Sequence, residues 1–388
     1  MQTPTITLDG GITMSKARKK TKKELEQERE TVEKIFNDAG LHANLDEIGF
    51  EEAYDLKVVE DPTKLSYEDK LTRTKMNIME TVEQFGLPQS YLSFSGGKDS
   101  SVLRHLAHEI YPELRLVFAN TGLELPEIVD FVKKQRDTYG RNVTIVRPRK
   151  NFVSVLKEYG FPIIGKEQSM AISRYQNTKR EDQRVYRMTG VKADGTTGKA
   201  GVISKKWQYL VDKIKTTERC CHYFKKQPFK DFERDLRKEL KLSKEDKIVN
   251  FAGTRLEESN LRLRDFLKYG CQAFTKATPQ SRPIMFWTEE DVNRYIEENN
   301  VEICEVYYDK WEVNPVTGEE ILIPAELRTG CIFCMYGVHL EDQKNTRFHK
   351  LQKRHPKLFK YAMDKLGLRE VLKLYSDLEF DDDPNKKK

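Results

Sequence analysis

Short apolar runs alternate with helical periods through the middle of the chain. Four of these runs have the length and composition of buried strands: Tyr91–Phe94, Leu114–Ala119, Val143–Val146 and Ile248–Ala252. Three stretches between or beside them have the apolar spacing of helices: Ser100–Ile110, Pro126–Tyr139 and Phe229–Leu240. This alternation predicts an α/β fold in which a doubly wound, mostly parallel sheet is covered by helices on both faces.

The pattern changes on either side of this region and once inside it. Residues 1–63 form a charged N-terminal extension, which we expect to be partly helical. Residues 64–300 hold the α/β domain, which begins with a helix over 64–86. Residues 165–215 are basic and polar, so we interpret them as an insertion or lid outside the core. Residues 301–388 carry a Cys-x-x-Cys segment followed by C-terminal helices.

Composition narrows the class of protein. Charged residues make up 34% of the 388 positions, and no apolar run approaches the ~20 residues of a membrane span. The N-terminus shows no apolar stretch typical of a secretion signal, so we expect a cytoplasmic protein with reduced cysteines and no membrane partner.

Positive charge is concentrated in one part of the chain. Residues 166–230 hold 16 Lys and Arg against 6 Asp and Glu, which is a larger excess than the +6 of the whole chain. Such a segment attracts phosphate groups and nucleic acid, although a solvated surface accounts for it equally well.

The most informative motif is a glycine-rich loop between the first predicted strand and the helix after it. It consists of Ser95-Gly96-Gly97-Lys98-Asp99-Ser100-Ser101. Adjacent glycines let the backbone turn sharply, and a helix N-terminus offers unpaired N–H groups and a positive dipole end. Serine hydroxyls and a lysine complete a site suited to phosphate. The spacing differs from that of a Walker A loop, which separates its glycines by four residues.

Three further segments strengthen the interpretation of this loop. They are Asn120-Thr121-Gly122-Leu123-Glu124, the stretch from Gly253-Thr254-Arg255 to Ser259 and Arg262, and Arg282-Pro283 followed by Trp287-Thr288 and Asp291-Val292. Together with the loop, they resemble, in order, the motifs of the phosphoadenosine phosphosulfate (PAPS) reductase family within the PP-loop, or adenine-nucleotide α-hydrolase, superfamily. The four matches cover residues 91–292. The resemblance implies a Rossmann-like PP-loop fold that binds an adenine nucleotide.

The resemblance also implies which residues form the site. Those expected to contact the nucleotide are Ser95, Gly96, Gly97, Ser100, Ser101, Thr121, Gly122, Gly253 and Arg262. Lys98 and Arg255 are expected to stabilise negative charge that develops in the reaction, since guanidinium and ammonium groups are suited to phosphate. Asp99 is expected to position groups or contact a metal ion, or simply to cap its helix. A Mg²⁺ ion is expected only if ATP is the substrate.

Four cysteines form the second informative feature. They are the tandem pair Cys220-Cys221 and the pair Cys331 and Cys334 in Cys-x-x-Cys spacing. Adjacent side chains diverge, so the tandem pair fits the separated iron corners of a [4Fe–4S] cluster better than a single zinc ion. Structural zinc and free buried thiols remain as alternatives. The arrangement resembles the cluster motif of adenylyl-sulfate reductases, in which the cluster lies beside the nucleotide.

One family feature is missing. The sulfonucleotide reductases carry a nucleophilic cysteine near the C-terminus, whereas this chain has no cysteine after Cys334. Either Cys271 or Cys304 substitutes, a partner supplies the thiol, or the reaction differs. The sequence therefore leaves three functions open: a PAPS reductase-like oxidoreductase, an ATP-dependent sulfurtransferase acting on tRNA or DNA, and a non-catalytic nucleotide-binding module. A thiol reductant or sulfur-donor protein and nucleic acid are the corresponding partners.

Overall fold

The computed structural model describes residues 62–276, 278–313 and 318–380. All but the last two residues of the predicted N-terminal extension lie outside these ranges, as does the charged tail after residue 380. None of the described helices has the length and apolar character needed to cross a bilayer.

Within the described residues, ten strands form one large and two small sheets. In chain order they are β1 (Ser90–Ser93), β2 (Arg115–Ala119), β3 (Val143–Val146), β4 (Ile163–Ile164), β5 (Val249–Ala252), β6 (Gln272–Ala273), β7 (Gln280–Ser281), β8 (Lys310–Val313), β9 (Glu320–Ile323) and β10 (Met335–Tyr336). The large sheet has the order β3-β2-β1-β5-β7-β6, while β4 pairs with β10 and β8 pairs with β9. All neighbours in the large sheet are parallel except the edge pair β6–β7.

The same described ranges hold twelve α-helices. They are α1 (Tyr67–Phe85), α2 (Lys98–Ile110), α3 (Pro126–Asp137), α4 (Phe152–Tyr159), α5 (Lys166–Asn177), α6 (Glu181–Thr189), α7 (Gln227–Glu239), α8 (Asn260–Tyr269), α9 (Glu289–Glu298), α10 (Arg347–Arg354), α11 (Pro356–Lys360) and α12 (Leu368–Leu372). Two π-helical turns occur at His222–Lys226 and Tyr361–Lys365. The first of these directly follows the tandem cysteines.

Burial on both faces explains why the central strands are continuous apolar runs. In β1, Leu92 joins the main hydrophobic cluster on one face of the sheet. Its neighbour Tyr91 packs with Val117, Phe232 and Leu236 on the opposite face. A parallel strand with both faces covered needs apolar residues at every position rather than at alternate ones. The predicted doubly wound, mostly parallel α/β sheet is confirmed.

The order of the strands creates a crevice at the centre of the sheet. From β1 the chain moves outward through β2 to β3, and it later returns to place β5 on the other side of β1. Open α/β sheets bind ligands at such a reversal, beyond the carboxyl ends of the two strands. Those ends carry the glycine-rich loop after β1 and the Gly253–Arg255 segment after β5.

Residues 165–215, which we interpret as an insertion or lid, contribute some buried side chains. The segment forms α5 and α6, and Ala171, Ile172, Trp207 and Leu210 belong to the main hydrophobic cluster. Its high content of charged residues concealed these few apolar positions. Most of its cations remain at the surface while its apolar residues are buried in the same core as the sheet.

Candidate functional site

The loop after β1 turns tightly against helix α3. Gly96 has φ +74°, a value that L-residues rarely adopt. A Cβ atom at this position would lie 3.0 Å from Cγ2 of Ile128 and 3.3 Å from Cγ2 of Val132. Both the backbone angle and the close packing therefore require glycine at position 96.

The serines of the loop hold its shape. The hydroxyls of Ser95 and Ser100 lie 3.0 Å apart, and Ser100 Oγ donates to the carbonyl of Gly97 at 2.9 Å. The N–H of Gly97 donates to Ser95 Oγ at 3.2 Å. Ser101 is buried, and its hydroxyl has no hydrogen-bond partner among the described residues. No described side chain caps α2, so the positive end of its dipole faces the loop.

Carboxylates surround the two cations that were expected to contact phosphate. Arg255 is 2% exposed and donates to Asp99 at 2.6 Å and to Glu257 at 2.9 Å. Glu289 accepts hydrogen bonds from both Arg255 and Lys98. Burial raises the pKa of Asp99 more than the nearby guanidinium of Arg255 lowers it. The two cations are therefore paired inside the protein, and three carboxylates occupy the crevice with them.

Gly253 and Arg262 flank this cluster in different ways. A Cβ atom on Gly253 would lie 3.0 Å from the carbonyl oxygen of Asp99, so the end of β5 and the start of α2 are in close contact. The side chain of Arg262 is 39% exposed and donates to Glu258 at 3.2 Å. Arg262 thus faces solvent beside the crevice, where a ligand can reach it.

Two residues that the sequence did not single out lie over the loop. The hydroxyl of Tyr307 and Oγ1 of Thr329 are 2.7 Å apart. Both would contact a Cβ atom at Gly97, at 3.2 and 3.4 Å respectively. Burial raises the pKa of Tyr307 to about 12, so the phenol stays protonated and keeps a hydrogen to donate. Neither residue belongs to a motif, and each lies more than 200 positions from the loop, so no local signal indicates it.

The segment after β2 connects the loop region to the second cysteine pair. Thr121 donates from its N–H at 2.9 Å and from its hydroxyl at 2.6 Å to the carboxylate of Glu124. Gly122, with φ +75°, donates from its N–H to Asn120 Oδ1 at 3.1 Å. The carbonyl of Leu123 accepts a hydrogen bond from the N–H of Ile332 at 2.7 Å. The Cys-x-x-Cys turn is therefore fixed to the end of a central strand.

The structure brings the two cysteine pairs together through strand β4. On one side of β4, Phe161 bridges to Thr216, four residues before Cys220. On the other side, Ile163 pairs with Met335, the residue after Cys334. The hydroxyl of Tyr336 lies 4.0 Å from the sulfur of Cys220 and donates to the carbonyl of Thr217 at 2.8 Å.

Electrostatics indicates that the four sulfurs lie in one environment. The hydrogen bond from the Cys220 thiol, together with the charges of Lys166 and Lys225, lowers the pKa of Cys221 to about 6. Burial raises the pKa of Cys331 to about 12, against the opposing charge of Lys225. The pKa of Lys225 is raised chiefly by the charge of Cys331 and also by those of Cys221 and Cys334. One lysine therefore lies near sulfurs from both pairs.

The four cysteine sulfurs can be compared with the ligand sets of a [4Fe–4S] cluster and of a zinc ion. Within the described ranges, no group of three or more His, Cys, Asp or Glu side chains has the spacing to hold a single metal ion. Four cysteine sulfurs with cationic neighbours are nevertheless the common ligand set of a [4Fe–4S] cluster, whose irons are spread over a larger volume. The chemistry of the donors fits a cluster better than it fits one zinc ion.

The two remaining cysteines lack the properties of a nucleophile. Burial raises the pKa of Cys271 to about 12 and that of Cys304 to about 11. Since the thiolate is the reactive form, both are weak nucleophiles at neutral pH.

Comparison with known proteins identifies relatives of the chain. The family model described as phosphoadenosine phosphosulfate reductase domain matches residues 89–335, which is more than half of the chain. An uncharacterised protein of Methanocaldococcus jannaschii is 36% identical over 97 residues, or 24% of this chain and 23% of that protein. A phosphoadenosine 5'-phosphosulfate reductase of Thiocapsa roseopersicina is 30% identical over 95 residues, or 24% of this chain and 39% of that protein. The alignments thus span less than two fifths of either relative.

Solved structures give two further similarities. The phosphate complex of a phosphoadenylyl-sulfate reductase from Candida auris aligns over 60% of this chain and 82% of that one, with 16% identity and a TM-score of 0.34. The ATP complex of an FMN adenylyltransferase from Candida glabrata aligns over 64% of this chain and 63% of that one, with 14% identity and a TM-score of 0.34.

Proposed function

The chain belongs to the phosphoadenosine phosphosulfate reductase family, and we propose that it is an enzyme that binds an adenine nucleotide beside a [4Fe–4S] cluster. The observation that carries this proposal is the hydrogen bond from the N–H of Ile332 to the carbonyl of Leu123. It joins the Cys-x-x-Cys turn to the segment that follows β2, and this segment neighbours the glycine-rich loop at the same edge of the sheet. We therefore assign the two motifs to one site.

The loop at residues 95–101 would bind the phosphate or sulfate end of the nucleotide. Its glycines expose backbone, and the uncapped start of α2 supplies N–H groups and a positive dipole end. The buried hydroxyl of Ser101 supplies a further donor close by. Lys98 can bind the same anion only if its interaction with Glu289 is broken or shared.

Cys220, Cys221, Cys331 and Cys334 would hold the cluster. When bound, such a cluster supplies electron transfer or a site at which sulfur is activated. The protein contributes cations around the thiolates, of which Lys225 lies near three of the four sulfurs. These positive charges favour the deprotonated form that a cysteine needs in order to bind a metal.

The charge of the crevice favours ATP over a sulfonucleotide as the substrate. Asp99, Glu257 and Glu289 outnumber Lys98 and Arg255, so the crevice carries excess negative charge. ATP enters such a site more readily with Mg²⁺, which is bound by carboxylates and phosphate oxygens. The raised pKa values of Cys271 and Cys304 also disfavour reduction through an enzyme thiosulfonate. ATP-dependent sulfur transfer is therefore our second candidate function.

Anaerobic purification followed by iron, sulfide and zinc analysis tests the cluster. We expect about four iron and four sulfide per chain, lost in Cys331→Ser and retained in the control Cys271→Ser. Stoichiometric zinc, or full iron content in Cys331→Ser, would contradict the assignment.

Product analysis with the same preparations tests the substrate. Release of pyrophosphate from ATP supports sulfur transfer, and release of sulfite from an adenylated sulfate with a thiol donor supports reduction. Binding of both nucleotides without turnover would mean that the chain is a nucleotide-binding module and not an enzyme.

A further inference from the structure

An unneutralised positive surface lies next to the cysteine centre. We call it the basic face and define it as the exposed Lys and Arg side chains of residues 166–230. This segment has 16 cations and 6 carboxylates. In the described part of the chain, Arg180 is the one cation of the segment that pairs with a carboxylate, through Asp182. Most of the other lysines and arginines of the segment are exposed to solvent.

Aromatic rings lie among these cations. Lys213 lies 5.2 Å from the ring centroid of Tyr209, which is exposed, and Arg187 lies 5.3 Å from that of Tyr186. Proteins that bind single-stranded nucleic acid combine a positively charged track for the backbone with aromatic surfaces for the bases. Cations interleaved with rings match that combination.

A pair of tyrosines extends the pattern to the cysteines. Tyr159 and Tyr223 stack with their ring centroids 5.2 Å apart at an interplanar angle of 23°. Lys150 lies 5.1 Å from each ring, and Arg219 lies 5.1 Å from that of Tyr159. Tyr223 follows Cys221 by two residues, so this cationic and aromatic group adjoins the tandem pair.

The basic face therefore reaches the proposed catalytic centre. Lys166 begins α5 just after β4, and Lys225 lies in the π-helical turn that follows the tandem cysteines. A polyanion lying along the segment would pass the cysteine centre. The sugar-phosphate chain of a nucleic acid is a polyanion of this kind.

We propose that the basic face binds single-stranded nucleic acid and that this polymer is the macromolecular substrate of the enzyme. That this polymer is the substrate rests on the proposed function, whereas binding of single-stranded nucleic acid by the basic face does not. An anionic membrane is the competing partner for a basic surface, but membrane-binding helices separate their charged and apolar faces. In the described part of residues 166–230 only Val185, Val191 and Tyr209 are exposed large hydrophobic side chains, and the rings are interleaved with the cations.

Binding of short fluorescent single-stranded DNA and RNA, followed by anisotropy in about 50 to 200 mM salt, tests the proposal. The test variant is Lys179→Gln/Lys199→Gln/Lys205→Gln, which removes three exposed lysines that form no ion pair in the described structure. The matched control, Lys238→Gln/Lys244→Gln/Lys357→Gln, removes three such lysines outside the segment.

We expect the test variant to bind at least tenfold more weakly at low salt. Its slope of log affinity against log salt should fall by about 2, because each phosphate contact on a single strand contributes about 0.7. The control variant should remain within about twofold of the unaltered protein at the same salt. Equal losses in the two variants would overturn the proposal, as would absence of binding by the unaltered protein or binding to anionic phosphatidylserine vesicles alone.

Iron content and ATP affinity of the same variants separate this proposal from the proposed function. If the basic face binds nucleic acid as proposed, the test variant keeps its iron content and its ATP affinity while its oligonucleotide affinity falls. If the protein holds no iron and binds no nucleotide, yet still binds oligonucleotides through these lysines, the proposed function fails and the nucleic-acid surface stands.

Discussion

Glu289 holds both cations of the candidate nucleotide site. It accepts hydrogen bonds from Lys98 and from Arg255, and it begins helix α9, far from the loop in sequence. Burial raises its pKa, but the hydrogen bond from Lys98 and the charge of Arg255 outweigh this effect, so the pKa of Glu289 lies below its usual value. The carboxylate is therefore ionised at neutral pH and competes with an incoming phosphate for Lys98.

Replacing Glu289 tests this competition. Glu289→Gln keeps the shape of the side chain and removes its charge, so phosphate-bearing ligands should bind more tightly. The carboxylate is 46% exposed, and such a pair contributes up to about 1 kcal/mol, which corresponds to an increase in affinity of up to about fivefold. Titration calorimetry with ATP and with inorganic phosphate measures the change.

Lys98→Ala is the matched comparison for Glu289→Gln. It should weaken binding of the same two ligands, because it removes the cation for which the phosphate and Glu289 compete. A loss of affinity in Glu289→Gln would contradict the competition and would show that the carboxylate itself contributes to ligand binding, for instance through Mg²⁺.

At the scale of single residues, the sequence indicates which residue types form the site, but it does not indicate which side chains contact one another. The loop residues were predicted because their chemistry is local: two glycines, a lysine and hydroxyls between a strand and a helix. The pairing of Arg255 with Asp99 and Glu289 joins three separate segments, so it could not be predicted from spacing. The same holds for Tyr307 and Thr329, whose place above Gly97 depends on the complete fold.

Among the secondary-structure elements, the strand β4 is important for the position of the cysteines although it has only two residues. β4 pairs with the segment that follows Cys334, and Phe161, two residues before β4, bridges to Thr216 in the segment before Cys220. The second residue of β4, Ile164, has φ +61°, which is unusual for a β-branched side chain. The carbonyl of Ile164 accepts a hydrogen bond from the N–H of Gly337 at 2.6 Å, so the strained residue is held by the segment that follows Cys334.

Gly160→Ala should move the tandem cysteines away from the Cys-x-x-Cys pair. Gly160 has φ +93°, and a Cβ atom there would lie 2.1 Å from the carbonyl oxygen of Lys215, so the strand segment next to the tandem cysteines must move. We expect at least half of the iron to be lost, while ATP affinity stays within about twofold. Iron analysis and ATP titration on the same preparation measure both effects.

Gly165→Ala is the control for this change. Gly165 directly follows β4, and a Cβ atom there meets nothing within 4 Å. Its iron content should equal that of the unaltered protein. Full iron content in Gly160→Ala would mean that β4 does not position the cysteines.

The strands of four or more residues in the centre of the sheet were predicted accurately, whereas the strands of two residues were not predicted. Val143–Val146 was predicted with the same bounds as β3, and the other three strand predictions differ from the structure by one residue at one or both ends. Continuous apolar runs between polar turns leave little choice of boundary. Strands of two residues such as β4 and β10 have no period to detect, and their pairing joins distant segments. They could not be predicted by the same reasoning.

On the scale of the whole molecule, one hydrophobic core extends from the sheet to the C-terminal helices. The main cluster includes Leu92 of β1, Trp207 of the basic segment and Phe348 of α10. The polarity of residues 165–215 led us to expect a separate insertion. The segment contributes buried residues to the core while its cations lie at the surface. Average composition indicates what a segment exposes, whereas its few apolar positions decide where it packs.

A cluster held by all four cysteines would tie two segments of this single core that lie about 110 residues apart in the chain. Such a crosslink removes conformational freedom from the unbound state, and metal binding therefore stabilises the fold. Chelation of the iron should speed backbone hydrogen exchange in residues 211–226 and 331–340 at least tenfold. Strands β1, β2 and β5 should keep their protection, because their hydrogen bonds and both of their packed faces lie within the sheet domain.

Cys331→Ser, prepared without chelator, should reproduce the same exchange pattern, since it removes the crosslink by a different route. Faster exchange across the whole sheet would mean that the metal stabilises the entire fold rather than one side of it. Unchanged exchange near both cysteine pairs would show that the β4 pairings and the Ile332–Leu123 hydrogen bond already hold these segments. In that case the cluster would serve chemistry alone, and its loss would reduce turnover without loosening the protein.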